Sequence, residues 1–220
     1  MVETLFPPGI ETCSLEVEVD PGSLYPEEER CVRNAVAARR REFAQGRLCA
    51  RQALARLGIL NFPLLVGKDR APIWPEDVIG SLSHCGGYCA AAVARKGAFL
   101  GLGIDVETAQ PLDPELLALI CTDSETAWLT ESPAETRGET AKLVFSAKES
   151  VFKCAYPLTG VFLDFRDCEI RVDEALGTFA ATLRHSLLPR PWNGCKLSGR
   201  FARDQQFFYT GIVHPGGIAA

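Results

Sequence analysis

SLSHCGGYCAAAVARKGAFLGLGIDVE, residues 81–107, is the stretch whose reading decides the fold. SLSHCGGYCAAAVA and AFLGLGIDVE lean towards strand, and the turn ARKG separates them. On an extended chain alternate side chains leave on opposite faces. Asp105 and Glu107 therefore share one face, and Ile104 and Val106 the other. Ser83 and His84 are adjacent, so they point opposite ways and cannot form a Ser–His nucleophile pair. The GLG of this stretch is no dinucleotide fingerprint, because the third glycine is missing and the glycines precede the strand.

Upstream, residues 27–58 read as one long helix or a broken helical pair. Val36, Phe43, Ala50, Leu54 and Leu57 recur at helical spacing as an apolar stripe, and Gly58 is a natural stop. Arg40, Arg47 and Arg51 form a row about 40° from that stripe, at the rim of the core where clefts form. Residues 62–80, punctuated by Pro63, Pro72 and Pro75, read as extended chain with turns. Downstream, LDPELLALICTDSETAWL is helical in pattern and ESPAETRGE is a polar loop. AKLVFSAKESVFKCAYP is a second helix closed by Pro157. VFLDFRDCEIRVD, GTFAATLR, KLSGRF and QQFFYTGIV then read as strands between turns. Helix and strands followed by helices and strands predict an α+β fold, with sub-domains 1–108 and 109–220 meeting near residues 107–112.

With 47% hydrophobic and 23% charged residues, the 220-residue chain has globular composition, which excludes a collagen-like fibre, a coiled coil or a disordered tail. No apolar run approaches the ~18 residues of a membrane span, because Arg95, Lys96 and Asp105 interrupt the best candidates. Glu3, Pro7 and Pro8 do not suit a signal peptide. The expectation is a cytoplasmic protein without a transmembrane segment. Its nine cysteines are scattered, with no CxxC pair. They read as buried, inert thiols, since His84, Cys85 and Cys89 have no second pair at zinc-ligand spacing.

A net charge of −5 argues against a general nucleic-acid binder. Residues 30–56 run the other way, with eight arginines against the single acid Glu42, and such a segment wants an anionic partner. Two carboxylates on one strand face, Asp105 and Glu107, repel unless a cation sits between them, and oxygen ligands select a hard one. In FSAKESVFK, Ser146 and Glu149 have capping-box spacing, and Glu149 with Lys153 could be a surface ion pair. The same helix offers a carboxylate beside two ammonium groups, Lys148 and Lys153, which is what a Mg²⁺–phosphate site requires. His84, shortly after Lys68 and Arg70, is placed to donate to a phosphate.

SLSH, then GIDVE, then FSAKESVFK, in that order and spacing, resembles the 4′-phosphopantetheinyl transferase family. GRLCARQAL and the Trp-Pro before GSLSH are most similar to its enterobactin-type bacterial branch, and the surfactin-type branch is a looser match. The resemblance covers residues 39–157. It implies a pseudo-symmetric pair of α+β halves, each a small sheet with packed helices, and a site at their junction. The implied reaction moves phosphopantetheine from coenzyme A to a serine of an apo acyl, peptidyl or aryl carrier protein, releasing adenosine 3′,5′-bisphosphate. By motif position, Asp105, Glu107 and Glu149 resemble the carboxylates that hold Mg²⁺, with Mn²⁺ as the alternative. Ser83, His84, Lys148 and Lys153 resemble the pyrophosphate contacts, and Arg47, Arg51, Lys68 and Arg70 the cations around the adenosine 3′-phosphate. Glu149, Lys153 and His84 are the catalytic candidates, with Glu149 the nearest base for the carrier serine. A monomer is expected.

Two other readings compete. One is a different Mg²⁺-dependent phosphoryl or nucleotidyl transferase, though no GxxxxGK[ST] loop is present. The other is a non-catalytic module binding coenzyme A or a carrier protein.

Overall fold

The computed structural model describes residues 1–67 and 69–216. Strands β1 (Ile10–Leu15), β2 (Val78–Cys85) and β3 (Tyr88–Arg95) form an antiparallel sheet in the order β1-β3-β2. Strands β4 (Phe99–Thr108), β5 (Cys168–Asp173), β6 (Thr178–Leu183), β7 (Lys196–Arg203) and β8 (Phe207–Pro215) form a five-stranded antiparallel sheet in the order β4-β8-β7-β6-β5. Helices α1 (Pro26–Val32), α2 (Ala37–Arg56), α3 (Leu117–Ile120), α4 (Asp123–Glu131) and α5 (Ala134–Thr159) pack on them. The α+β expectation holds.

α2 covers one face of the smaller sheet, packing Cys49, Ala50, Ala53 and Leu54 against Cys13, Cys89, Ala91 and Val93. The opposite side chains of β3, Tyr88, Ala90 and Ala92, meet Val2, Leu5 and Phe6 of an N-terminal turn and Leu102, Ile104 and Val106 of β4. β3 is therefore buried on both faces, which is why its sequence is an unbroken apolar run. α5 covers the larger sheet through residues such as Val144, Ala147 and Val151.

Two local devices fix how the sheets meet. β2 lies beside β4 without a backbone ladder. Instead the Ile104 amide donates to Ser81 Oγ at 3.0 Å and the Val106 amide to Ser83 Oγ at 3.2 Å. The S-x-S alternation of SLSH thus supplies hydroxyls where ladder carbonyls would otherwise stand. On its other side β4 runs directly beneath α5. A Cβ on Gly103 would sit 1.8 Å from the Ser150 carbonyl oxygen, so only glycine permits this approach. The GLG that is no nucleotide loop is a helix-packing notch.

Several elements differ from the sequence reading. Residues 27–58 are the broken pair, and Val36 is 74% exposed because it is the extended N-cap residue of α2, off the helical stripe. The stretch before ARKG is a hairpin, turned by Gly86 and Gly87 at φ 57° and 84°. The sequence predicts no strand ahead of residue 27, yet β1 lies there. The helical pattern of 112–129 breaks before α4, where Thr122 and Glu125 make a capping box. The polar loop ESPAETRGE is mostly the start of α5. Its Gly138 is helical, lets Pro111 pack closely, and offers its carbonyl to the Leu112 amide at 2.9 Å. Pro157 does not close that helix, which ends at Gly160 in the left-handed conformation.

Candidate functional site

The alternation of β4 sends Asp105 and Glu107 towards α5, and the notch at Gly103 brings the helix close enough to meet them. Asp105 is 3% exposed. Its Oδ1 accepts from Lys153 Nζ at 2.6 Å and Ser83 Oγ at 2.9 Å, and its Oδ2 from Ser146 Oγ at 2.8 Å. Ser146 is thus a buried mid-helix residue facing the site, not a helix cap. Its hydroxyl also lies 3.0 Å from Thr210 Oγ1 on β8.

Glu107 is half-buried, with Lys142 Nζ at 3.5 Å and Cys85 Sγ at 3.9 Å. Burial and then the charge of Asp105 push its carboxyl above the ordinary value, and Lys142 only partly offsets them. Glu149 is half-buried and, among the described residues, has no hydrogen-bond or ion-pair partner. Burial raises its carboxyl too. Lys153 pulls it back down, while Asp105 and Glu107 push it up. Three acids therefore feel one another across β4 and α5, with Lys153 and Lys142 among them.

β2 carries Ser83 inward and His84 outward. Ser83 Oγ is spent within the protein, on Asp105, on the Val106 amide and on Lys153 at 3.2 Å. His84 faces α2, where Nε2 lies 3.1 Å from Arg39 Nη1 and 3.3 Å from Glu42 Oε2, and Arg39 and Glu42 pair at 3.2 Å. Hydrogen bonds from Arg39 and His84 outweigh the upward push of burial and hold Glu42 below the ordinary carboxylate value.

The arginines of α2 divide. Arg47 is 4% exposed, its guanidinium 3.9 Å above the Phe43 ring, and among the described residues it has no ion pair and an unpartnered Nε. Burial lowers it to about 10, against the pull of Glu28, and the charges of Arg39 and Arg51 add to the lowering. Arg51 is instead committed inside the protein. It pairs with fully buried Glu28 at 2.5 Å, donates to the Ser23 carbonyl at 2.9 Å and stacks over Tyr25. Lys148 is likewise satisfied internally. Its Nζ meets Glu125 at 2.7 Å and the carbonyls of Ile120 and Phe165 at 2.8 and 2.9 Å. Arg70 is exposed at φ 64°, and neighbouring Asp69 lies beside Tyr156 of α5, raising that phenol by hydrogen bonding. Lys68 lies outside the described residues.

Beside Glu149 opens a pocket of about 280 Å³ lined by Phe152, Phe162, Leu163 and Phe165, with Lys148 and Asp164. Phe162 is 75% exposed and meets Phe152 edge-on, so this wall is apolar and accessible.

Lys142, Ser146, Arg39 and Thr210 join the site without being predicted by the sequence motifs. Lys142, Ser146, Glu149 and Lys153 stand at i, i+4, i+7 and i+11, one helix face, so that periodicity was a usable signal. Arg39 and Glu42, at i and i+3, offered a weaker one. Thr210 had none, because it reaches the site only through pairing of β8 with β4 at Asp105.

Residues 27–94 match the model of the 4′-phosphopantetheinyl transferase N-terminal domain, and residues 101–206 that of the 4′-phosphopantetheinyl transferase superfamily. The chain is similar to 4′-phosphopantetheinyl transferase Svp of Streptomyces mobaraensis, 45% identical over 91% of this chain and 83% of that protein. It is also similar to 4′-phosphopantetheinyl transferase Npt of Nocardia iowensis, 36% identical over 97% of this chain and 100% of that one. Enterobactin synthase component D of Escherichia coli K12 is 35% identical over 61% of this chain and 64% of its own.

Proposed function

This chain belongs to the 4′-phosphopantetheinyl transferase superfamily, and from that membership we propose how the cleft between β2, β4 and α5 carries out the transfer. The protein moves the phosphopantetheine arm of coenzyme A onto a serine of an apo carrier protein. The serine Oγ forms a bond to the phosphorus carrying the arm, the pyrophosphate bond breaks, and adenosine 3′,5′-bisphosphate leaves.

The observation that best supports this assignment of the site is Glu149, a half-buried carboxylate with no partner among the described residues, raised by burial and by two neighbouring acids. Such a group suits a base for the serine proton, since burial moves its affinity towards neutrality. Lys153, on the same face, donates to the departing phosphate oxygen. His84 and Arg39 face the pyrophosphate. Arg47 serves the 3′-phosphate, because a buried guanidinium without a counter-ion is stabilised by an anionic ligand. Arg70 extends the positive surround, Arg51 and Lys148 brace it from within, and Ser83 orients Asp105. The apolar pocket beside Glu149 receives the uncharged arm.

Asp105, Glu107 and Glu149 are the residues that would hold Mg²⁺. As the side chains stand, no three ligands among the described residues are grouped to hold a metal ion, and Asp105 is taken by Lys153. The donor chemistry nevertheless fits, with three carboxylates in mutual repulsion and oxygen-only ligation suited to a hard cation. Mg²⁺ held there would supply positive charge for the pyrophosphate oxygens. On this reading the halves 1–108 and 109–220 contribute the coenzyme A side and the carrier side, and a cytoplasmic monomer suffices. No helix among the described residues is long and apolar enough to cross a membrane.

Incubation with coenzyme A, Mg²⁺ and an apo carrier protein tests the proposal. Mass spectrometry should show the carrier gaining one phosphopantetheine arm, with loss of the gain on chelation and on Glu149→Gln. Unchanged transfer by Glu149→Gln in the presence of chelator would refute the site assignment.

A further inference from the structure

Glu42 is the only acid among the arginines of residues 30–56, and it sits against the two donors assigned above to a phosphate. We propose that Glu42 is an internal competitor for coenzyme A, a carboxylate that occupies Arg39 and His84 in the free protein and must be displaced when the pyrophosphate binds. This inference rests on the reading that Arg39 and His84 face that pyrophosphate.

The geometry carries it. Glu42 Oε2 alone makes both contacts, 3.2 Å to Arg39 Nη1 and 3.3 Å to His84 Nε2, and those two donors stand 3.1 Å apart. One carboxylate oxygen thus lies between a guanidinium and an imidazole as a phosphate oxygen would. The side chain is 49% exposed, so it can swing into solvent without desolvation loss when a better anion arrives. No other described acid contacts either donor, so nothing replaces it once it leaves. The device works in both directions. It keeps two donors oriented and charge-balanced before coenzyme A arrives, and it reclaims them as adenosine 3′,5′-bisphosphate departs, which weakens the hold on a product carrying two phosphates.

Removing the charge should therefore tighten binding, the reverse of what loss of an ion pair does to a merely structural contact. Two exposed contacts of this kind predict a gain of about three- to tenfold. The gain should shrink as salt rises.

Calorimetric titration of Glu42→Gln, Arg39→Ala and His84→Ala with coenzyme A and with adenosine 3′,5′-bisphosphate tests this. Glu42→Gln is expected to lower both dissociation constants about three- to tenfold and to deepen product inhibition, while Arg39→Ala and His84→Ala raise them. If Arg39→Ala and His84→Ala leave both affinities unchanged, the phosphate reading of those donors fails and the inference falls with it. If they weaken binding but Glu42→Gln leaves it unchanged or weaker, the phosphate reading stands and the competitor role alone is overturned.

Discussion

Replacing Gly103 with alanine tests whether the notch under α5 positions the site. The added Cβ would lie 1.8 Å from the Ser150 carbonyl oxygen and 3.0 Å from the Cys154 amide nitrogen. Ordinary contact begins at 3.4 Å, so strand and helix must part by about 1.6 Å. Both atoms are backbone, and no rotamer change can relieve them. Overpacking of this kind costs about 1–3 kcal/mol, which for a chain of this size lowers Tm by about 2–12 °C. The separation also acts on chemistry. Ser146 and Lys153 now stand 2.8 and 2.6 Å from Asp105, and neither contact survives a displacement of that size. A misplacement of about 1 Å in a catalytic constellation costs on the order of 100-fold in rate. A thermal melt and a carrier-loading assay read both consequences, with Gly22→Ala as the control, since its Cβ would meet nothing closer than 3.5 Å. Melting within a degree of the parent together with full turnover would refute the argument that glycine is required at 103.

Asp105→Asn should leave the protein folded, because Ser83 can still donate to the amide oxygen and Ser146 can accept from the amide, yet it should need far more Mg²⁺ and lose turnover at saturating coenzyme A. A variant turning over normally without added metal would contradict that role. Arg47→Ala should weaken coenzyme A more than dephospho-coenzyme A, as measured by direct titration, since only the former carries the 3′-phosphate. Equal losses would remove Arg47 from that contact. Glu107 and Glu149 titrate above the ordinary carboxylate value in the folded protein. Their contribution to stability is therefore present at acidic pH and lost as pH rises through their folded values. Tm measured downward from about pH 7 should gain from both groups, less so in Glu107→Gln and Glu149→Gln. Mg²⁺ should raise Tm most at neutral pH, and a metal effect that grows on acidification would count against carboxylate ligation.

Much of this was legible in residue order. The α+β class follows from the succession of periodicities, and the shared face of Asp105 and Glu107 from their spacing on a strand. What stayed hidden has specific physical reasons. Gly138 reads as a loop residue until Pro111 is seen against it, so the first turns of α5 looked polar and irregular. Gly101 and Gly103 look like flexibility, whereas they make room for a helix. The fates of Arg51 and Lys148 turned on Glu28 and Glu125, acids 23 residues away in each case and fully buried, and periodicity says nothing about such pairings. β1 is short and lies next to prolines, and only its pairing with β3 makes it a strand.

The plug formed by Val2, Leu5 and Phe6 bears on the order in which the molecule is assembled. These residues are synthesised well before Phe207 and Tyr209 of β8, which belong to the same apolar cluster. The smaller sheet and α2 lie within residues 10–95 and can cluster early. β4, by contrast, finds its only backbone ladder among the described residues with β8, at their far end. Until that strand emerges, β4 lacks its ladder partner and Ser146, which holds Asp105, lacks its contact with Thr210. Long-range pairings of this kind form late because closing so large a loop costs entropy before any contact forms. A chain that stops short of β8 therefore carries the partners of Asp105 but not the ladder that fixes β4 beneath α5.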